Sequence, residues 1–434
     1  MKFHLKTLFK IAVFLCFIFI SSTSLKAQSC LPNGITFLNQ ESIDDFSINY
    51  PGCTIIEGSV TISDLNDNIT NLNGLLQITE IGGYLEIQDS NEITDLTGLD
   101  NLQGIESLFI GGNNGLISLH GLESLSTLGD ILQINDNNNL VTISALTNLT
   151  SLNKINIQYN AVLPSLNGLE NVSSVSEIFI SSNNSLENLN GLEGVENLAS
   201  SIDILFNPLI QNLYGLHNLE SVGSHLSITQ NQSLTSLIGL EGLSTISGAN
   251  EPFMGLRITS NPQLININSL SNLTSINETL LIADNDQLVN IEGVRNIDAT
   301  TIADLRIYNN NILSNCAVTS VCDYLDIEPN IVEIHDNMAG CNTEGEVQTI
   351  CDNLGVEEIT NENSLKIYPN PTSNTFKISG LKDGIVEIID SQGRTVKQMA
   401  SNENNYSISE LSSGIYFVKI TSEKTSITKQ LIKT

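Results

Sequence analysis

Side chains suited to acid-base, nucleophilic or metal chemistry are few or uninformative in this 434-residue sequence. Beyond residue 27 only four histidines occur, His120, His217, His225 and His335, and they share no phase or spacing. Carboxylates are the opposite case: residues 28–363 hold 42 Asp and Glu against four Lys and Arg, a net charge of −38. At that density two neighbouring acids say nothing by themselves about general acid-base catalysis. The pairs that could hold a cation are Asp64 with Asp89 and Asp284 near Asp286. No G-x-S-x-G elbow, H-E-x-x-H pair or phosphate loop occurs. The field excludes nucleic acid and anionic lipid, whose phosphates need clustered Lys and Arg. No catalytic residue, metal or cofactor is therefore expected.

The remaining reactive type is cysteine. Residues 1–27 carry Lys2, Lys6 and Lys10, an apolar run from Ile11 to Ile20, and small or polar residues up to Ala27, which predicts a secretory signal peptide. That run is too short to span a bilayer, and no later segment is longer. Six cysteines follow: Cys30, Cys53, Cys316, Cys322, Cys341 and Cys351. An even number in an exported chain predicts disulfides. A zinc site would need paired short spacings, whereas the last four are separated by five, eighteen and nine residues.

What positions everything else is a repeat. Aligned on a Gly-Leu step, the chain gives Leu75, Leu99, Leu122, Leu146, Leu169, Leu192, Leu216, Leu240, Leu270 and Val294, mostly 23 or 24 residues apart. The one interval of 30 contains an insertion, "SGANEPFMG" at 247–255. A fixed period in this range means stacked coils that cannot bury their apolar faces singly. Each unit holds a short alternating stretch, such as "IFI" at 178 or "LRI" at 305, which predicts one parallel strand per coil. Three residues after each strand Ile stands Asn113, Asn137, Asn160, Asn183, Asn207, Asn231, Asn261, Asn285, Asn310 or Asn337, with Ser90 in an early unit. An amide both donates and accepts, so this column is expected to satisfy buried backbone groups of adjacent coils. The N-x-S/T matches at Asn148, Asn171 and Asn272 are those expected by chance in so Asn-rich a chain.

The unit resembles leucine-rich repeats, whose "L-x-L-x-x-N" core it reproduces, and more closely the receptor L domain. The resemblance covers residues 57 to about 340 and implies a right-handed parallel β-solenoid, about twelve coils here, serving as an extracellular recognition surface. Both ends of such a stack need caps. Residues 28–56 offer a strand at "ITF" and a helix from Ser42 whose Ile43, Phe46 and Ile48 could plug the first coil, tied by Cys30–Cys53. At the other end Cys316 and Cys341 hold equivalent places in successive coils, as do Cys322 and Cys351, which predicts those two pairings; exchange among the four is the alternative.

Residues 355–363 break the period as a linker, and from 364 short alternating strands separated by turn residues predict a small antiparallel β-sandwich. Tyr368-Pro369-Asn370-Pro371, the "D-x-x-G" ending at Gly393, "SGIYFVKI" with Gly414 and Tyr416, and the closing "KQLIK" resemble the type A sorting domain of the type IX secretion system of Bacteroidetes. That resemblance implies the secretion machinery as a partner, and release from the cell or attachment to its outer surface.

The expected organisation is thus a signal peptide (1–27), N-terminal cap (28–56), solenoid (57–315), disulfide-bonded cap (316–354), linker (355–363) and sorting domain (364–434). The function expected is recognition or adhesion, with an extracellular glycan or protein bound on the outward side of the strands. The residues picked out for contact are Phe109, Tyr159, Phe179, Phe206, Arg257, Arg306 and Tyr308, because exposed aromatics and arginines supply stacking and anchor contacts. A polysaccharide-acting enzyme and a purely structural surface component are the alternatives.

Overall fold

The computed structural model describes residues 28–64, 68–248, 254–328, 330–354, 366–379, 385–390, 394–400, 405–421 and 426–434. The expected signal peptide, the linker, most of the 247–255 insertion and Gly393 lie outside them. The chain divides into two units, residues 1–352 and 353–434.

In the first unit, thirteen strands run in one parallel path from Gln28–Cys30 to Val332–His335. Register follows from the alternation. In "EIFIS", Ile178 and Ile180 face inward and Phe179 outward, and Ile178 lies between Ile155 and Ile202 of the flanking strands. A slip of one residue would exchange core and surface along the whole strand, so the pattern admits one register. Beyond the strand, Leu186, Leu189, Leu192, Val195 and Leu198 turn into the same interior and are all buried. The inner faces of the coils merge into one continuous hydrophobic cluster from Phe37 to Val347. The far side is closed by short turns and a second, three-stranded parallel sheet built from Asn197–Leu198, Ser221–Val222 and Thr245–Ile246.

Leaving each strand, the backbone takes one residue in the left-handed region, for example Ser182 at φ 58° and Gln230 at φ 57°. The ladder Asn comes next. Asn113, Asn137, Asn160, Asn183, Asn207, Asn231, Asn261, Asn285 and Asn310 are all fully buried. Asn183 shows the scheme. Its backbone N–H donates to Asn207 Oδ1 (3.1 Å), while its Nδ2 donates to Ile157 O in the preceding coil (2.9 Å) and to Ser181 O (3.1 Å). Its own Oδ1 accepts from the backbone N–H and Nδ2 of Asn160 (3.1 and 3.2 Å). The column continues to Asn337, and Ser90 begins it by donating its backbone N–H to Asn113 Oδ1.

A second amide column escapes the sequence reading. Asn148 and Asn272 donate to the carbonyls of Glu123 and Glu241 (2.6 Å each), and Asn171 to Thr147 O (2.8 Å), each in the preceding coil. These three asparagines therefore pin the turns, and their shared place two residues after the Gly-Leu step marks the column in the sequence. Part of the acidity is architectural too. Asp100, Glu123, Glu170, Glu193 and Glu241 each accept the N–H of the glycine two residues before.

Both ends are capped. Asn39 accepts the Ser42 N–H at the start of helix Gln40–Asp44, and Ile43 and Phe46 are fully buried over the first coil. Ile48, expected in that plug, is instead 73% exposed, because Phe46–Asn49 is a separate single turn that faces Phe46 inward. Cys30 is bonded to Cys53, Cys316 to Cys341 and Cys322 to Cys351. Cys322–Cys351 ties helix Thr319–Leu325 to helix Glu344–Leu354, Cys316–Cys341 joins the segments just before those helices, and Val321, Tyr324 and Val347 are buried.

The second unit pairs a three-stranded with a four-stranded antiparallel sheet around Phe376, Val386, Ile388, Tyr406, Val418 and Leu431. Asn370 bridges to its last strand, accepting the Ile432 N–H and donating to Gln430 O, both at 2.8 Å. Thr372 N–H also donates to Ile432 O (2.9 Å), while Tyr368 ends strand Lys366–Tyr368 and pairs with Lys377. Gly414 opens strand Gly414–Thr421, and Tyr416 in it donates to Ser412 O.

The strand face as candidate functional site

The outward residues of successive strands form one register column: Thr61, Glu86, Phe109, Gln133, Asn156, Phe179, Asp203, Ser227, Arg257, Leu281, Arg306 and Glu333. None of them is exposed. Strands about 4.8 Å apart let each side chain shield its neighbours, so Phe109, Phe179, Arg257 and Arg306 are half-buried while Ser227 and Leu281 are buried. The aromatics most open to solvent are off this column. Tyr159 and Phe206, at the strand exits, are 52% and 46% exposed.

The seven picked residues fall into three places. Phe109 lies near the N-terminal end of the face, edge-on to Tyr84 with ring centroids 5.9 Å apart. Beside it a groove of about 390 Å³ opens, lined by Glu86, Gln88, Asp89, Gly111, Gly112, Gln133, Asn135 and Asp136. The groove exists because Gly111 and Gly112 put no side chain between Gln88-Asp89 on one strand and Asn135-Asp136 on the next. Gln133 donates to Asn135 Oδ1 and Asn135 to Asp136 Oδ2, which orients one wall. One aromatic edge with converging amides and carboxylates suits a hydroxyl-rich ligand, since each hydroxyl can donate to an acid and accept from an amide.

Phe179 with Tyr159 and Phe206 occupies three successive coils in the middle of the face. Arg257 lies further on. Lys154, Arg295 and Arg306 are each ion-paired, whereas Arg257 has no carboxylate partner among the described residues and its buried Nε has no acceptor.

Arg306 and Tyr308 sit at the distal end, and there the arginine is occupied. It meets Asp304 through Nε and a terminal nitrogen (2.9–3.0 Å) and Glu333 at 3.2 Å, which raises its pKa, mainly through the Asp304 hydrogen bond. His335 stacks on Tyr308 with centroids 5.1 Å apart and bonds Asp336 (2.8 Å) and Glu333 (3.2 Å). Those two hydrogen bonds, Asp336 first, hold the His335 pKa above its ordinary value. A raised folded-state pKa means that the protonated ring favours folding. Its contribution is complete below the unfolded value near 6.5 and is lost as pH rises through the higher folded value. Glu333→Gln and Asp336→Asn are each expected to lower the His335 pKa, and NMR titration of the ring protons measures it.

His225 bonds Asp203 at 3.2 Å, and Ser224 lies 3.4 Å from its other ring nitrogen. That distance is long and joins sequence neighbours, so it records chain geometry, not an assembled nucleophile. His120 bonds Glu123 and His217 stacks on Tyr214, both off the strand face. Asp284 and Asp286 accept from Asn309 and Asn311 of the next coil, and Asp64 accepts the Ile69 N–H.

Comparison with known families agrees with this architecture at both ends of the chain. The receptor L domain matches residues 52–117 and 195–301, and the secretion system C-terminal sorting domain matches 366–434. The chain is a receptor L domain solenoid with a type IX sorting tail. No curated protein matches it. The tail places the L-domain solenoid outside the cell, secreted or held at the outer surface, and makes the secretion machinery a partner. Both domain families are non-enzymatic. No helix among the described residues is long and apolar enough to cross a membrane.

Proposed function

We propose that the protein is an exported recognition or adhesion protein that binds an extracellular glycan through the strand face. The observation that carries this reading is the groove over Gly111 and Gly112, where Phe109, the amides of Gln88, Gln133 and Asn135 and the carboxylates of Glu86, Asp89 and Asp136 converge. Its acidic walls favour a neutral or basic ligand over an anionic one. The glycan reading is preferred to a protein partner because the groove is small and strongly polar, with a single ring as its apolar element. The groove is lined by carboxylates and amides with no His, Lys or Arg among them, which is why binding without turnover is favoured.

The test is a glycan array with the purified full chain, compared with Phe109→Ala and Gly111→Gln. The second variant fills the groove, since the atoms nearest to a Cβ at Gly111 are those of the Asn135 side chain, from 3.2 Å. Loss of about tenfold or more in affinity in both variants is the expected result. Product release from the bound glycan would instead establish the enzyme reading, and binding indifferent to both changes would remove the groove from the site.

A further inference from the structure

Strand exits from Asp89 to Asp336 carry a residue in the left-handed region, and in all but the last its N–H donates to the last carbonyl of the next strand, as Ser182 does to Leu205 O (3.0 Å). Most coils meet the demand with residues that tolerate it or are small and polar: Asp89, Gly112, Asp136, Ser182, Ser260, Asp284, Asn309 and Asp336. Two coils do not. Tyr159 (φ 57°) and Phe206 (φ 56°) put an aromatic ring on strained backbone and leave it about half exposed. Strain and apolar exposure both oppose stability there, and an Asn would relieve both, so folding does not explain either ring.

Their placement does have an explanation. Gln158, Ser181 and Leu205 are in register on adjacent strands, so Tyr159 and Phe206 stand two strand steps apart, about 9.5 Å, on one edge of the sheet with only Ser182 between them. That separation matches the disaccharide repeat of an extended β-linked polysaccharide, in which every second sugar ring presents the same face. Sugar rings stack on aromatic faces through their C–H groups, and the stack's −38 charge disfavours polyanions. We infer that Tyr159 and Phe206 form a two-ring rail for an extended, uncharged β-linked polysaccharide, separate from the groove at Phe109. The inference rests on the glycan reading above and names the polymer class.

The experiment is calorimetric titration of the full chain with β-1,4-linked gluco- and chito-oligosaccharides, from disaccharide to hexasaccharide, with polygalacturonate as the acidic comparator. The expected result is an affinity that rises once the oligomer is long enough to cover both rings and falls about tenfold in Tyr159→Ala and in Phe206→Ala. Polygalacturonate does not bind. Tyr159→Asn and Phe206→Asn lose binding equally while melting no lower than the parent, which separates recognition from folding. Absence of binding by every uncharged oligomer, binding unchanged in the Asn variants, or preference for the acidic polymer overturns the rail. Phe109→Ala tells the two sites apart: a glycan that needs Phe109 but not Tyr159 or Phe206 leaves the groove standing and removes the rail.

Discussion

Asn183→Ala is expected to destabilise the solenoid by about 3–5 kcal/mol, far more than an exposed Asn→Ala, which stays within about 0.5 kcal/mol. The substitution removes three donor contacts and two acceptor contacts of a fully buried side chain. It leaves the Asn160 N–H without its acceptor and Ile157 O without that donor, in a dry interior where each orphaned group costs about 1–3 kcal/mol. Asn183→Asp keeps the shape and the acceptor but loses both donors and buries a charge, so it should do no better. Urea unfolding followed by circular dichroism measures the loss. A change below about 1 kcal/mol would show that the column is decoration and not the coil-to-coil fastening described above.

The second large effect concerns the Gly-Leu step. Gly191→Ala should cost about 3 kcal/mol or more. Gly191 has φ +111°, where an L side chain is strained, and a Cβ there would stand 2.0 Å from Leu166 O in the preceding coil. The obstacle is backbone held by the stack, so it cannot swing aside as a side-chain end would. Gly345→Ala is the matched control, since a Cβ there meets nothing within 4 Å and the residue lies in helix Glu344–Leu354. It should be neutral or slightly stabilising, because alanine has the higher helix propensity. Thermal melts of the pair separate the steric effect from a general intolerance of the chain.

Much of the architecture is legible in the residues because a repeat announces itself many times. The spacing of Leu and Ile places one parallel strand in each coil, and the phase of Asn113 through Asn337 marks the strand exits. Cys316, Cys322, Cys341 and Cys351 fall at equivalent points of successive coils, which is why their partners could be read from phase. The N-terminal cap was less readable. The Ile48 spacing suits a continuous helix, but the chain breaks after Asp44 and buries Phe46 against Phe37 and Tyr50 instead.

The candidate site divides in the same way. Composition and alternation determined which residues leave the core, and Phe109, Phe179, Arg257 and Arg306 do stand in one outward column. Alternation carries no information about what neighbours three-dimensional stacking supplies. Only the tertiary structure decided that Arg306 is held by Asp304 and Glu333, that the column is half-buried at strand spacing, and that two glycines open a groove beside Phe109. The left-handed strain at Tyr159 and Phe206 is likewise invisible in the sequence, because a backbone conformation imposed by the next coil's carbonyl is a property of the stack and of no single repeat.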